Sequence, residues 1–374
     1  MSVDSNLENK FQVRWQLFVA IFALIAVNAL WGLSFPIIKS MNLQMEHAAG
    51  LESSQIDSSL RVAFTAGMIA MRFAVAFLLL CFLGYKLVLN ASMAEWRAGA
   101  VVGLFFYFGL MLQVLGLATI PASRSGFLTS LTAVFTPLFS ALVLRRIPTS
   151  NVWIGGLIAL MGVSLLTGLI QLSHWQLNIA SDAMSKWTTG DTLTTLGSVL
   201  FTGQLLLVDY YGKRLNTTAI TPSMFLTVAL AAAVTFLCLQ HNQIELANGV
   251  ANQQDSLRMF SDRLFFSPMF LSLFVFLAFF CSVLAFLGMN RYQPHVTAVQ
   301  ASVIYSTEPV FASMAALFLP SFLGSVSSSF AFPNEELSFP LVLGGALVLI
   351  ANVVALWPKK SPQPFPTNQA TGRS

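Results

Sequence analysis

The sequence predicts an all-α integral membrane protein, with about ten transmembrane helices built as two inverted five-helix repeats. Three observations carry this. The 374-residue chain is 56% hydrophobic and 9% charged, with mean hydropathy +0.74, whereas soluble domains are about a quarter charged. Its apolar residues form long runs, and a membrane span needs roughly 20 of them. A pattern in the fourth run returns in the ninth, five helices later.

Taken in order, helices are predicted near 15–39, 61–88, 98–119, 121–144, 151–171, 190–212, 219–239, 266–290, 295–320 and 338–357. The polar segment 1–14 precedes them and is expected to be mobile. The first run is too long for the apolar core of a signal peptide and lacks a small-residue cleavage site, so it reads as a true first helix. The first repeat then occupies 15–171, a loop 172–189, and the second repeat 190–357. Residues 321–336, with the run SVSSSF, are expected as a flexible loop. The tail 358–374 is rich in Pro and polar residues, and is expected to be disordered.

Positive charge sets the orientation. With the N-terminus inside, the inner segments hold 12 of the 19 Lys and Arg residues, among them Lys10, Arg14, Arg145, Arg146, Lys213, Arg214, Lys359 and Lys360. The outer segments hold six: Lys39, Arg61, Arg124, Lys186, Arg258 and Arg263. This two-to-one bias predicts cytoplasmic N- and C-termini. The net charge of +4 belongs to these helix ends. No basic stripe with interleaved aromatics is present, which argues against nucleic acid.

The repeat emerges when Pro137 is set on Pro309, an offset of 172. Ser130 then meets Ser302 and Phe139 meets Phe311. Gly155-Gly156 meets Gly344-Gly345 at an offset of 189, which places a 17-residue insertion in the Ser-rich loop of the second half. Pro137 and Pro309 are the candidate helix breaks. An odd number of helices per repeat inserts the second copy upside down, a plan recurrent in secondary transporters.

Several classes of chemistry lack their residues. The cysteines, Cys81, Cys238 and Cys281, sit in apolar runs without CxxC or metal-type spacing. The four histidines lie in loops or at helix ends without paired-ligand spacing, so no metal is expected. No Walker motif or nucleotide fingerprint is present, and no cofactor is expected. An intramembrane enzyme would need a cluster of His, Asp and Ser or Lys near one membrane face. A receptor would favour a sizeable soluble domain, and a channel a symmetric pore oligomer.

Polar residues at membrane depth are the candidate site. Glu308 leads them, because a buried carboxylate is costly unless paired, and Pro309 beside it leaves a backbone carbonyl without its helix donor. It reads either as a proton- or cation-responsive group facing a cavity, or as half of a structural pair with Arg72. Asn28, Trp31, Tyr107, Gln113, Gln204, Gln300 and Tyr305 are further candidates, for a cavity or for interhelical hydrogen bonds. Asp209 reads as an i, i+4 partner of Lys213. Lys39 and Arg124 read as interface charges or as an entry for anions. Trp153, Trp175 and Trp357 read as interface anchors.

Local patterns resemble the EamA-like branch of the drug/metabolite transporter superfamily. Asn28-Ala29-Leu30-Trp31-Gly32-Leu33-Ser34-Phe35 with Lys39 is similar to the family's first-helix WG-x-x-F pattern and its lysine. Arg72-Phe73 resembles the second-helix Arg-aromatic pair, and Glu308-Pro309-Val310-Phe311 the ninth-helix Glu-Pro element. The helix closing on Pro137 resembles the fourth, and Gln204 with Asp209-Tyr210 the start of the second repeat in some bacterial members. The chain departs from the family after the fourth helix, where Arg145-Arg146-Ile147-Pro148 replaces a Leu-Gly-Glu-like element. After the ninth, Glu335-Glu336 follows only beyond the insertion. The resemblance implies a secondary active transporter in the inner membrane, moving a small organic metabolite or drug by alternating access, with export expected over uptake. It leaves room for proton coupling and for a homodimer among membrane lipid. The contrasting readings are a lipid-modifying intramembrane enzyme and a channel or receptor.

Overall fold

A computed structural model describes residues 2–48, 58–143, 150–166, 170–173, 176–179, 187–246, 267–326 and 334–356. Five helical spans make up the first half: α1 (Ser2–Ala48), α2 (Ser58–Leu83), α3 (Met93–Leu117), a divided α4 (α4a, Ala122–Thr129; α4b, Thr132–Val143) and α5 (Ser150–Leu166). The second half has α6 (Thr189–Gly212), α7 (Thr221–Leu246) and α8, which runs from Pro268–Ala278 through a π-helical turn, Phe279–Leu284, into Ala285–Tyr292. A divided α9 (α9a, Ala298–Tyr305; α9b, Glu308–Val326) and α10 (Phe339–Leu356) complete it. By length and composition, eight spans among the described residues can cross a bilayer, while α5 and α10 carry the shorter apolar stretches Trp153–Leu165 and Phe339–Val354.

The outward faces are apolar. Phe18, Phe22, Leu78, Phe82, Leu157, Phe318 and Phe322 are all exposed, an arrangement that water would penalise and lipid accepts. The interior is where small and polar residues gather. Asn28, Thr136, Asp191, Thr194, Ser198 and Asn290 have no exposure at all. This is the inversion expected of a membrane bundle, whose helices associate through close backbone approach and hydrogen bonds.

The helix pairings have two-fold character. α2 packs on α7, and α5 on α10. α3 packs on α6 and α7, as its counterpart α8 packs on α1 and α2. α1 packs on α9, as α6 packs on α4. Exchanging helices five apart maps each pairing onto itself or another. The self-paired α5 and α10 meet closely, since a Cβ on Gly162 would lie 2.7 Å from the Gly344 carbonyl oxygen.

The two divided helices fix the repeat more accurately than the prolines do. α4a opens at Ala122 and α9a at Ala298; the breaks follow at Ser130-Leu131 and Ser306-Thr307. That is an offset of 176 in both places, not 172, so matching Pro137 to Pro309 is about one helical turn out. Thr132 is therefore the counterpart of Glu308. Neither proline makes its break. Pro137 lies inside α4b. Pro309 lies in the first turn of α9b, where a missing N–H costs little.

Other expectations shift too. α1 begins at Ser2, so residues 2–14 continue the first helix; they contain neither Gly nor Pro to stop a helix. The predicted loop 172–189 contains part of a short antiparallel hairpin, β1 (Ile170–Ser173) with β2 (Gln176–Ile179), in which Ile170 faces Ile179 and Leu172 faces Leu177. α9b continues to Val326, into the predicted loop 321–336. Arg145-Arg146-Ile147-Pro148, Trp175, Trp357 and the tail 358–374 lie outside the described residues.

Candidate functional site

The break in α9 builds the site. Between Tyr305 and Glu308 the helical ladder is interrupted, and the Ile304 carbonyl collects other donors in its place. The Thr307 amide reaches it at 3.1 Å, the Thr307 hydroxyl at 2.7 Å, and Asn28 Nδ2 of α1 at 2.9 Å. α1 comes this close because residue 32 is glycine: a Cβ there would stand 2.6 Å from Phe311 Cβ and 2.8 Å from the Ala312 amide nitrogen. Glu308 thus begins a new helix in mid-bundle, with its side chain on the wall of a cavity.

That cavity lies between the two halves. Residues of α1, α2, α3, α4, α6, α8 and α9 line it, including Trp31, Arg72, Gln113, Thr129, Gln204, Gln293, Tyr305 and Glu308. Its volume is about 100 Å3. Binding pockets for small molecules usually run to several hundred Å3.

The break in α4 supplies hydroxyls from the other half. Thr129 donates to the Ser125 carbonyl at 2.9 Å and accepts from Gln113 Nε2 at 2.8 Å. Across the cavity, Tyr305 donates to Gln293 Oε1 at 2.9 Å, while Gln293 Nε2 donates to the Leu205 carbonyl at 3.3 Å. The apolar wall is aromatic. Trp31 lies 5.2 Å from Phe286 and 5.7 Å from Tyr305, ring centre to ring centre. Phe286 in turn meets Phe106, Phe225 and Phe73.

Arg72 does not pair with Glu308. Its Nε donates to Ser282 Oγ at 2.8 Å and its Nη2 to the Cys281 carbonyl at 3.3 Å. Both partners sit in the π-helical turn of α8, where Ser282 also donates back to the Leu277 carbonyl, five residues earlier. The π turn widens the ladder and leaves polar atoms for a side chain to use, and such turns concentrate at functional sites. Arg72 also approaches the ring of Phe73, with Cζ 5.4 Å from its centre. Its charge is thus held by neutral groups. Among the described residues, no ion pair joins Glu308 to a cation.

Of the nine predicted side chains, six line the cavity: Glu308, Arg72, Trp31, Gln113, Gln204 and Tyr305. Three do not. Asn28 braces the α9 break, Tyr107 shares a 2.6 Å hydrogen bond with Thr235 of α7, and Gln300 closes a capping box with Thr297 at the start of α9a. Sequence reasoning passed over Gln293 and Thr129. Gln293 stands beside Pro294 in what reads as a turn. Thr129 is one hydroxyl among several in its helix.

The other charges are structural in geometry. Asp209 binds Lys213 at 2.8 Å, the expected i, i+4 pair. Lys39 Nζ donates to the Ile120 carbonyl at 3.0 Å. Arg124 grips Asp191 with two parallel bonds, Nε to Oδ1 at 2.7 Å and Nη2 to Oδ2 at 2.6 Å. Trp153 is exposed near the start of α5.

These spans, with two divided helices meeting at the cavity, describe a multi-pass helical membrane protein. Residues 18–168 match the EamA-like transporter family. An "uncharacterized transporter" of Archaeoglobus fulgidus is 22% identical over 293 residues, covering 78% of this chain and 75% of that one. A solved crystal structure of a protein is 18% identical, covering 88% of this chain and 96% of that one, with a TM-score of 0.44; a likeness this loose bears on neither fold nor function. The family and the archaeal relative support a membrane transporter for a small molecule.

Proposed function

We propose that the protein is a secondary active transporter that carries a small organic molecule across the inner membrane by alternating access, in the direction of export. The observation behind this reading is the cavity at the junction of the two halves, bounded by both broken helices and carrying Glu308. Its small volume suits a state that opens further to load.

The lining also limits what the cavity suits. Its charged groups are Glu308 and Arg72, and Arg72 is engaged by α8. Among the described residues no cation pairs with Glu308, which faces the space beside the aromatic wall of Trp31, Tyr305 and Phe286. An amphipathic molecule with a cationic group fits this combination, its charge against the carboxylate and its apolar part on the rings. A proton could take the place of such a group on the return step. The distribution of cations favours a cytoplasmic side for both termini.

Counterflow in proteoliposomes tests the reading. Vesicles loaded with a transported amine should take up the labelled compound transiently and saturably. Flux that rises linearly with concentration, without counterflow, would mark a channel and end the proposal. Protease added to intact cells should leave a C-terminal tag uncut if the termini are cytoplasmic.

A further inference from the structure

We infer that the segment after α9, Asn334-Glu335, is a latch that holds one end of the cavity shut. This rests on the alternating-access reading above.

The latch begins with a proline. Pro320 in α9b has no N–H, so the Ala316 carbonyl loses its helical donor. The Glu335 amide takes that place, at 3.0 Å. One residue earlier, Asn334 Oδ1 accepts from the Ser321 amide at 2.9 Å. The chain is thereby stapled back along α9b on both sides of Pro320. This aims the Glu335 side chain at α4a, where Oε1 accepts from the Ala122 amide at 2.6 Å. The Ser123 amide lies 3.4 Å from Oε1 and 3.3 Å from Oε2. A carboxylate on a helix N-terminus is doubly favoured, by the free amides and by the helix dipole.

Two further charges act at the same end. Lys39 of α1 holds the Ile120 carbonyl and lies within electrostatic reach of Glu335. Arg124 of α4a is clamped on Asp191, which is fully buried at the start of α6. Charged bonds therefore tie α1, α4, α6 and α9 together here. Beneath them, Phe35, Leu117, Ala122, Ala312 and Ala316 form an apolar plug, and Phe35 and Leu117 are also cavity wall. At the opposite end, α6, α8 and α9a are joined through Gln293 by neutral hydrogen bonds, and the carboxylate there, Glu95 at the start of α3, reaches the Asn216 amide between α6 and α7 only by an exposed 3.3 Å bond. The described ion pair there, Asp209–Lys213, lies within one helix end and ties no two helices. In an inverted repeat the two access states exchange the roles of the halves, so unequal ends give unequal populations. The latch favours the state closed at the α4a end.

The test is sided labelling. In a background with Cys81, Cys238 and Cys281 replaced, Ser34→Cys places one thiol on the cavity wall, and a membrane-impermeant maleimide is applied to vesicles of either orientation. Glu335→Ala should speed labelling from the α4a end roughly tenfold and slow it from the other. Glu335→Gln, which keeps an acceptor but no charge, should fall between. Asn334→Ala loosens only the staple and should shift labelling the same way by less; it carries the test if Glu335→Ala fails to fold. Folded Glu335→Ala and Asn334→Ala proteins labelled at unchanged rates from both sides would overturn the latch. A thiol labelled equally fast from both sides with the latch intact would likewise overturn the bias, whereas loss of counterflow in the unmodified protein would instead overturn alternating access itself.

Discussion

At the scale of single residues, the separation of Glu308 from Arg72 decides what each substitution does. Breaking a buried ion pair from one side costs roughly 3–5 kcal/mol, because the other charge is stranded. Here Glu308→Gln strands nothing. It should melt close to the wild-type temperature in detergent, while transport of a cationic substrate falls by an order of magnitude or more. Arg72→Met should behave differently. It removes the donors to Ser282 and the Cys281 carbonyl, and should cost about 1–3 kcal/mol of stability. The double variant should show little coupling in melting, well short of the cost of a broken pair; strong rescue of Arg72→Met by Glu308→Gln would restore the pair to consideration. The sequence made both residues conspicuous, as charges within apolar runs. It did not reveal their partners. Ser282 and Cys281 look like small packing residues until a π turn presents them, and a single inserted residue in a helical ladder leaves no periodic trace in an all-apolar stretch.

At the scale of elements, the break in α9 depends on its brace. Asn28 Nδ2 is the one donor to the Ile304 carbonyl that comes from another helix. Asn28→Ala leaves that carbonyl with local donors and opens a gap beside Gly32, so stability should fall by about 1–3 kcal/mol. Thermal melts and transport on the same protein would check it. Transport should fall by more than the stability loss explains, since Glu308 begins the helix the brace positions; transport at the wild-type level would separate the brace from the site. The broken helices also show where sequence reading stops. Helix number and approximate bounds follow from apolar run lengths, and each of the ten predicted spans has a counterpart. The breaks themselves do not. Ser130-Leu131 and Ser306-Thr307 contain no helix breaker, and the prolines that drew attention sit beyond them. At the α9 break a tertiary donor, Asn28, helps satisfy the freed carbonyl, and it comes from a distant part of the chain.

At the scale of the whole molecule, the dominant pairings cross between the halves: α2 with α7, α5 with α10, α3 with α6 and α7, α1 with α8 and α9. The inverted repeat was legible from the odd helix count and the returning pattern. The crossing was not, because hydropathy records how often a chain enters the bilayer and is silent on which spans touch. This arrangement has a consequence for biosynthesis. Helices leave the ribosome from the N-terminus onward, so α1 to α5 enter the membrane before any of those partners exists. The first half must wait there as loosely associated spans, its Asn28, Arg72 and Gly162 facing lipid, insertion machinery or one another. Residues 1–171 expressed alone should accordingly insert yet stay protease-sensitive and turn over quickly. Supplying 172–374 as a second chain should restore resistance, a result read directly by limited proteolysis of membranes. A first half that was resistant alone would mean that it folds as an independent unit. The short-lived stage for this protein is thus the interval between the fifth and the tenth span, and a quality-control protease would find its substrate there.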